Sequence, residues 1–154
     1  MKWSLLLASL FLVLAACSTS SQVRTAYAPT AGDRFSYAID NAGGMSTEAL
    51  GIFRARLDSQ LAARGLLAQG GGDRRIAIRI DEYRMRHGAA RGLLGVMAGT
   101  DSILSTVTVT DADGRVLGQM QVDSGNATAM GTATGMIETH ADEVVAFVSG
   151  APAS

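Results

Sequence analysis

The stretch "SILSTVTVTDADGRVLGQMQVDSG", residues 102–125, decides the fold. Ile103, Val107 and Val109 alternate with Thr106, Thr108 and Thr110. On the return, Val116, Met120 and Val122 alternate with Gln119 and Gln121. A period of two belongs to an extended strand, whose successive side chains point to opposite faces. Between the runs, Asp111-Ala112-Asp113-Gly114 supplies turn chemistry. Short acids bond nearby backbone there, and a glycine takes a positive φ without strain. The segment reads as a hairpin with one apolar face and one face carpeted in Thr and Gln. An antiparallel sheet of that kind is covered on one side only.

The cover is legible on either side of the hairpin. "STEALGIFRARLDSQLAARG", residues 46–65, sets Leu50, Phe53, Leu57 and Leu61 on one helical face. Ser46 or Thr47 can cap it, Glu48 suits its positive end, and Gly65 is placed to end it. "GMIETHADEVVAFVSG", residues 135–150, is a second helix with Ile137, Ala141, Val144, Val145 and Val148 on one face. Gly150 and Pro152 end it. "RFSYAID" at 34–40 and "RRIAIRIDEYRMRH" at 74–87 read as strands. Ile76, Ile78 and Ile80 share a face, while Tyr83 and Met85 have the opposite parity. A bulge or a change of burial is expected near Glu82. Leu66–Ala68 could add a brief strand. The order β-α-β-β-β-α predicts one two-layer α+β domain over residues 33–150. It has an antiparallel or mixed sheet with two helices on one face.

Residues 1–16 have another purpose. Lys2 gives a positive start, Leu5 to Leu14 is nearly all apolar, and Ala15 and Ala16 are small. This is the layout of a secretory signal peptide. Its apolar run falls short of the ~20 residues a membrane span needs. Cys17 is the only cysteine, so no internal disulfide is possible.

"LAAC", residues 14–17, resembles a bacterial lipobox. The resemblance implies diacylglycerol on the Cys17 sulfur, cleavage before Cys17, and an acyl chain such as palmitate on the new amino group. Each buried methylene contributes ~0.8 kcal/mol, so one chain holds marginally and several hold firmly. A blocked thioether also avoids a free thiol in an oxidising envelope. Ser18 follows where an aspartate would favour inner-membrane retention. The expected address is therefore the periplasmic face of the outer membrane. An ordinary signal peptide with a chance cysteine is the alternative. Residues 17–32, small and polar, read as a lipidated tether.

Composition excludes several partners. Without Lys2 the chain sets 12 basic against 14 acidic side chains. Broad nucleic-acid binding needs a basic footprint, and adhesion to anionic lipid needs a polybasic segment. Lys2 is the only lysine. A Walker-type phosphate loop and Schiff-base chemistry both need a lysine.

From Gly88 to Gly150 a Gly-rich loop runs into a Thr/Val strand, the "DADG" turn, the "RVLGQMQV" strand, a small-residue loop and an amphipathic helix. This layout resembles an uncharacterised family of bacterial lipoproteins carrying a domain of unknown function. It is more distantly similar to the periplasmic domain of the curli-secretion lipoprotein CsgG and to the N-terminal domain of TolB. The resemblance implies fold and compartment and brings no catalytic residues. CsgG builds a barrel from extra long hairpins, and this sequence shows none, which argues against a pore.

Candidate chemistry is sparse. "GAARGLLGVMAGTDS", residues 88–102, does not spell G-x-G-x-x-G. Gly88/Gly92 and Gly95/Gly99 are small-xxx-small pairs that permit close backbone approach. The bland reading is a structural loop. The functional reading is a contact to a protein or to a second copy through Gly92, Leu93, Leu94, Gly95 and Gly99. An anion cradle ranks third. Asp111 and Asp113 lack the further oxygens of a calcium loop. His87 and His140 read as structural or solvated, and neither suggests a metal site. A triad from Ser102 or Ser105 lacks the G-x-S-x-G elbow. Arg74, Arg75, Arg79, Arg84, Arg86 and Arg91 could meet an acidic partner or lipid phosphates, or simply form a solvated edge. No cofactor is expected. The expected function is a non-enzymatic envelope lipoprotein, anchored in the bilayer through acylated Cys17, that binds another envelope protein or itself. An envelope hydrolase and a carrier of a small apolar ligand are the alternatives.

Overall fold

The computed structural model describes residues 18–85, 100–126 and 132–151. Its elements are β1 (Ser18–Thr25), β2 (Phe35–Asp40), α1 (Thr47–Ala63), β3 (Arg74–Arg84), β4 (Asp101–Asp111), β5 (Val116–Asn126) and α2 (Ala133–Ser149). The strands form one sheet in the order β1-β5-β4-β3-β2. β2 and β3 are parallel because α1 carries the chain back between them. Every other pair is antiparallel. The sheet is therefore mixed, and the domain is the two-layer α+β arrangement expected.

Alternation decides which side is covered. Ile76, Ile78, Ile80, Ile103, Val107, Val109, Met120 and Val122 are all buried. They form one cluster with Phe53, Leu57 and Leu61 of α1 and Ile137, Val144, Val145 and Val148 of α2. Truncating Leu57, which is wholly buried, to Ala would cost about 2–5 kcal/mol. The opposite face carries Thr106, Thr108, Thr110, Gln119 and Gln121, all half-buried. Gln119 donates to the Thr108 hydroxyl at 3.4 Å across that face.

Local chemistry sets the element ends. Ser46 caps α1 by accepting from the Ala49 amide. Beyond Arg64, Gly65 adopts φ 64°. The Gly65 and Leu66 amides then bond the Ala62 and Leu61 carbonyls, closing a Schellman motif. Thr132 caps α2 and Gly150 ends it. Residues 66–68 add only a bridge, Leu67 to Phe35. The bulge falls where expected: β3 loses register between Ile80 and Glu82, and Tyr83 then pairs with Ile103 on the core side.

Two expectations fail. Residues 18–25, read as part of a tether, are an edge strand paired with β5 from Ser18 onward. The sheet thus begins well before Asp33. Val116, placed on the apolar face, is 52% exposed. A second register shift, between Val109 and Thr110, moves Val116 out of the buried row.

Candidate functional site

The described residues gather most of their buried polar groups in two places, with Asp101 and Asn126 paired apart from them at one end of the sheet. The first is the seam between α2 and the sheet. His140 is wholly buried. Its Nε2 lies 2.7 Å from Ser105 Oγ on β4, and its Nδ1 lies 2.8 Å from Ser124 Oγ on β5. Ser124 continues to Thr19 of β1, with the two hydroxyls 3.0 Å apart. Phe53 of α1 covers the ring, with centroids 6.0 Å apart. One turn along α2, buried Glu143 accepts a bond from Ser21 of β1 at 2.8 Å.

This geometry fixes the state of His140. Burial strips water from the imidazolium and pushes the pKa down to about 3. A neutral ring has one N–H and one lone pair. So one serine donates to it and the other accepts. A serine within hydrogen-bond reach of an imidazole is the beginning of a nucleophile–base pair. The rest is not assembled here. Nδ1 meets a hydroxyl where a triad needs a carboxylate, and Ser105, Ser124 and His140 are all 0% exposed. Ser102 sits on the other face and donates to Glu82 at 3.1 Å. The seam's clear task is structural: it ties the edge strand to the helix through hydroxyls rather than apolar contact.

The second cluster pins the crossing from β1 to β2. Asp33 is 5% exposed. Its carboxylate accepts from the Tyr27 hydroxyl and from the Thr30 hydroxyl and amide. Burial pushes its carboxyl up, but the Thr30 and Tyr27 bonds and the Arg74 charge outweigh that and leave it below the usual range. Burial, and then the bond to Asp33, push the Tyr27 phenol up to about 12. Arg74 Nε lies 3.6 Å from Asp33. That is an ion pair but too long for a hydrogen bond, so this buried N–H has no acceptor among the described residues.

Tyr27 also borders a shallow groove of about 160 Å³ at the α2 C-terminus, with Val23, Met120, Glu143, Phe147 and Ala151. Gly118 makes room for its wall: a Cβ there would sit 2.7 Å from Tyr27 Cβ and 3.1 Å from Phe147 Cζ.

The other candidates disperse. Cys17, His87, Arg86, Arg91 and the loop residues Gly92, Leu93, Leu94, Gly95 and Gly99 lie outside the described residues. Asp111 is spent on its own turn, accepting from the Asp113 and Arg115 amides at 3.1 and 2.9 Å. These bonds, the Arg115 amide foremost, hold its carboxyl below the usual range. Arg79 pairs with Asp81 at 3.1 Å and Arg84 with Glu82 at 3.2 Å, all on the exposed side. Among the described residues, no group of three or more His, Cys, Asp or Glu could hold a metal ion. None of their helices is long and apolar enough to cross a membrane.

Sequence reading placed His140 at a stripe edge. It missed that α2 is buried on a wider arc, reaching Met136, His140 and Glu143. The Asp33 cluster left no signal, since it joins residues from a segment read as tether to the start of β3.

A mixed five-stranded sheet under two helices, with its buried polar groups turned inward, defines a two-layer α+β domain. The chain belongs to the family of a domain of unknown function (DUF4410), which matches residues 40–131, more than half its length. No curated protein matches it. Among solved structures it is similar to the PelC dodecamer from Paraburkholderia phytofirmans. A point variant of that dodecamer in space group C2 is 14% identical, with TM-score 0.64, over 85% of this chain and 97% of that one. The dodecamer in space group P6 is 13% identical, with the same score and coverage. Likeness at this identity is a likeness of fold. The fold neighbours are thus PelC, in place of the CsgG and TolB domains expected from the sequence.

Proposed function

We propose that this chain is a non-enzymatic accessory protein of the bacterial envelope, held to the periplasmic face of the outer membrane through acylated Cys17. It works by associating with copies of itself or with another envelope protein. The observation that carries this reading is the fold shared with PelC, a protein solved as a dodecamer. The lipobox at residues 14–17 supports the anchor. The sheet edges and the stretch containing Gly92, Leu93, Leu94, Gly95 and Gly99 are the proposed contacts.

The seam weighs against a hydrolase, since its serine and histidine have no path to substrate. The groove weighs against a ligand carrier. At about 160 Å³ it is smaller than the ~300–1,000 Å³ of small-molecule pockets. Cell fractionation tests the anchor. The native chain should sediment with outer membrane, and Cys17→Ser should move it to the soluble fraction. Tight membrane association of Cys17→Ser would refute the anchor.

A further inference from the structure

The two edges of the sheet are treated differently. β2 forms one of them. Residues 66–68 strap its start: the Phe35 amide donates to the Leu66 carbonyl at 2.8 Å, and the Ala68 amide to the Phe35 carbonyl at 2.9 Å. Its other end carries Asp40, an exposed carboxylate beside Arg79. Covering segments and charges guard an edge against another strand. β1 forms the second edge, and no described strand lies on its outer side. Every second residue there turns its N–H and C=O away from β5. From Ser18 to Val23 the strand has no proline and no charge, and its register with β5 is unbroken. Its one charge and its one irregularity come together at Arg24. Residues 19–23 run along the middle of β5, from Ser124 to Met120. Val23 is 55% exposed, one of two large apolar side chains so placed among the described residues.

Resting on the self-association proposed above, we infer that two copies join through their β1 edges, antiparallel about a two-fold axis at Ser21, so that the two five-stranded sheets become continuous. The occupant of this edge is a second β1 because that is the unguarded strand a copy has to offer. Residues directly opposite in an antiparallel pair share a face of the sheet. The helices of both copies therefore lie on one side. With Ser21 on the axis, Thr19 of one copy stands opposite Val23 of the other, and Ser20 opposite Gln22. Val23 is then covered. Centring on Ser20 would set Val23 against Cys17, and centring on Gln22 would run the ladder into Arg24. A contact of this isologous kind closes at two copies. A larger assembly is then even-numbered and uses a second, different surface.

Ser20 and Gln22 are the sites to change. Both are exposed and alternate with the inward-facing Thr19, Ser21 and Val23. Within one copy Ser20 lies opposite Asp123 and Gln22 opposite Gln121, so a lysine at position 20 favours the folded strand. Light scattering of the full-length protein in mild detergent, with the detergent subtracted, reads the particle mass. In Ser20→Lys/Gln22→Lys, lysines of the two copies stand directly opposite one another, and like charges so placed repel. The mass should fall to half the native value or less. Ser20→Lys/Gln22→Glu sets lysine opposite glutamate across the same axis and should restore the native mass. A double-lysine protein that keeps the native mass overturns the inference and leaves self-association standing. Loss of association in both variants also overturns it, since positions 20 and 22 then do not meet across the axis. A native protein that is monomeric at every concentration refutes the self-association reading itself.

Discussion

His140 makes the packing of α2 on the sheet measurable as a pH dependence. Its native pKa is lowered by burial to about 3, while an unfolded imidazole titrates near 6.5. Between these values the unfolded chain binds a proton that the native chain refuses. Stability therefore rises with pH across this window and is lost as pH falls below about 6.5. The limiting slope is about 1.4 kcal/mol per pH unit. Integrated from pH 7 to pH 5, the loss is about 2 kcal/mol. That is a large part of the ~5–15 kcal/mol that holds a domain together. Urea unfolding at both pH values, on the native chain and on His140→Gln, isolates it. Glutamine can bond both serines and does not titrate. His140→Gln should be less stable at pH 7 by about 1–3 kcal/mol. The native chain should lose about 2 kcal/mol more than the variant on going to pH 5. His87 is present in both and cancels. Equal losses would mean that His140 titrates in the folded protein as it does in water, and that the sealed seam is wrong.

Asp33→Ala removes the acceptor shared by Tyr27 and Thr30 and the ion-pair partner of Arg74. It should cost about 2–4 kcal/mol in urea unfolding at pH 7. Because the Asp33 carboxyl is held low, its contribution is present above about pH 3.9 and fades as acid titrates the native group. Acid unfolding of this variant should therefore start from lower stability but fall less steeply. Gly118→Ala forces a methyl onto Tyr27 and should cost about 1–3 kcal/mol by overpacking, read as a lowered Tm. Arg56→Ala breaks a two-pronged pair with Asp142 at 2.8 Å, in which both side chains are more than a third exposed. Solvent screening should keep its cost below about 1 kcal/mol.

Apolar periodicity made most of this fold readable. The hairpin, both helices and the β3 bulge follow from where Ile, Leu and Val recur. β1 was hidden because "STSSQVRT" has one apolar residue, Val23. It joins the sheet through backbone bonds and the Thr19 hydroxyl, and α2 through the Ser21 hydroxyl, and these look in sequence like those of a solvated linker. Val116 misled for a different reason: one inserted residue in a ladder flips everything beyond it. His140 was visible, but its partners come from β4 and β5, 35 and 16 residues away. No local spacing encodes such a meeting. The proposed anchor at Cys17 and the proposed contact through the glycine loop rest on motif reading alone.

The mass of the lipidated full-length protein in mild detergent, by light scattering with the detergent contribution subtracted, bears most closely on how the protein works. Self-association on a PelC-like fold predicts one discrete high oligomer that persists on dilution. A monomer at every concentration would contradict self-association, and cross-linking in cells would then have to show what other protein the domain binds.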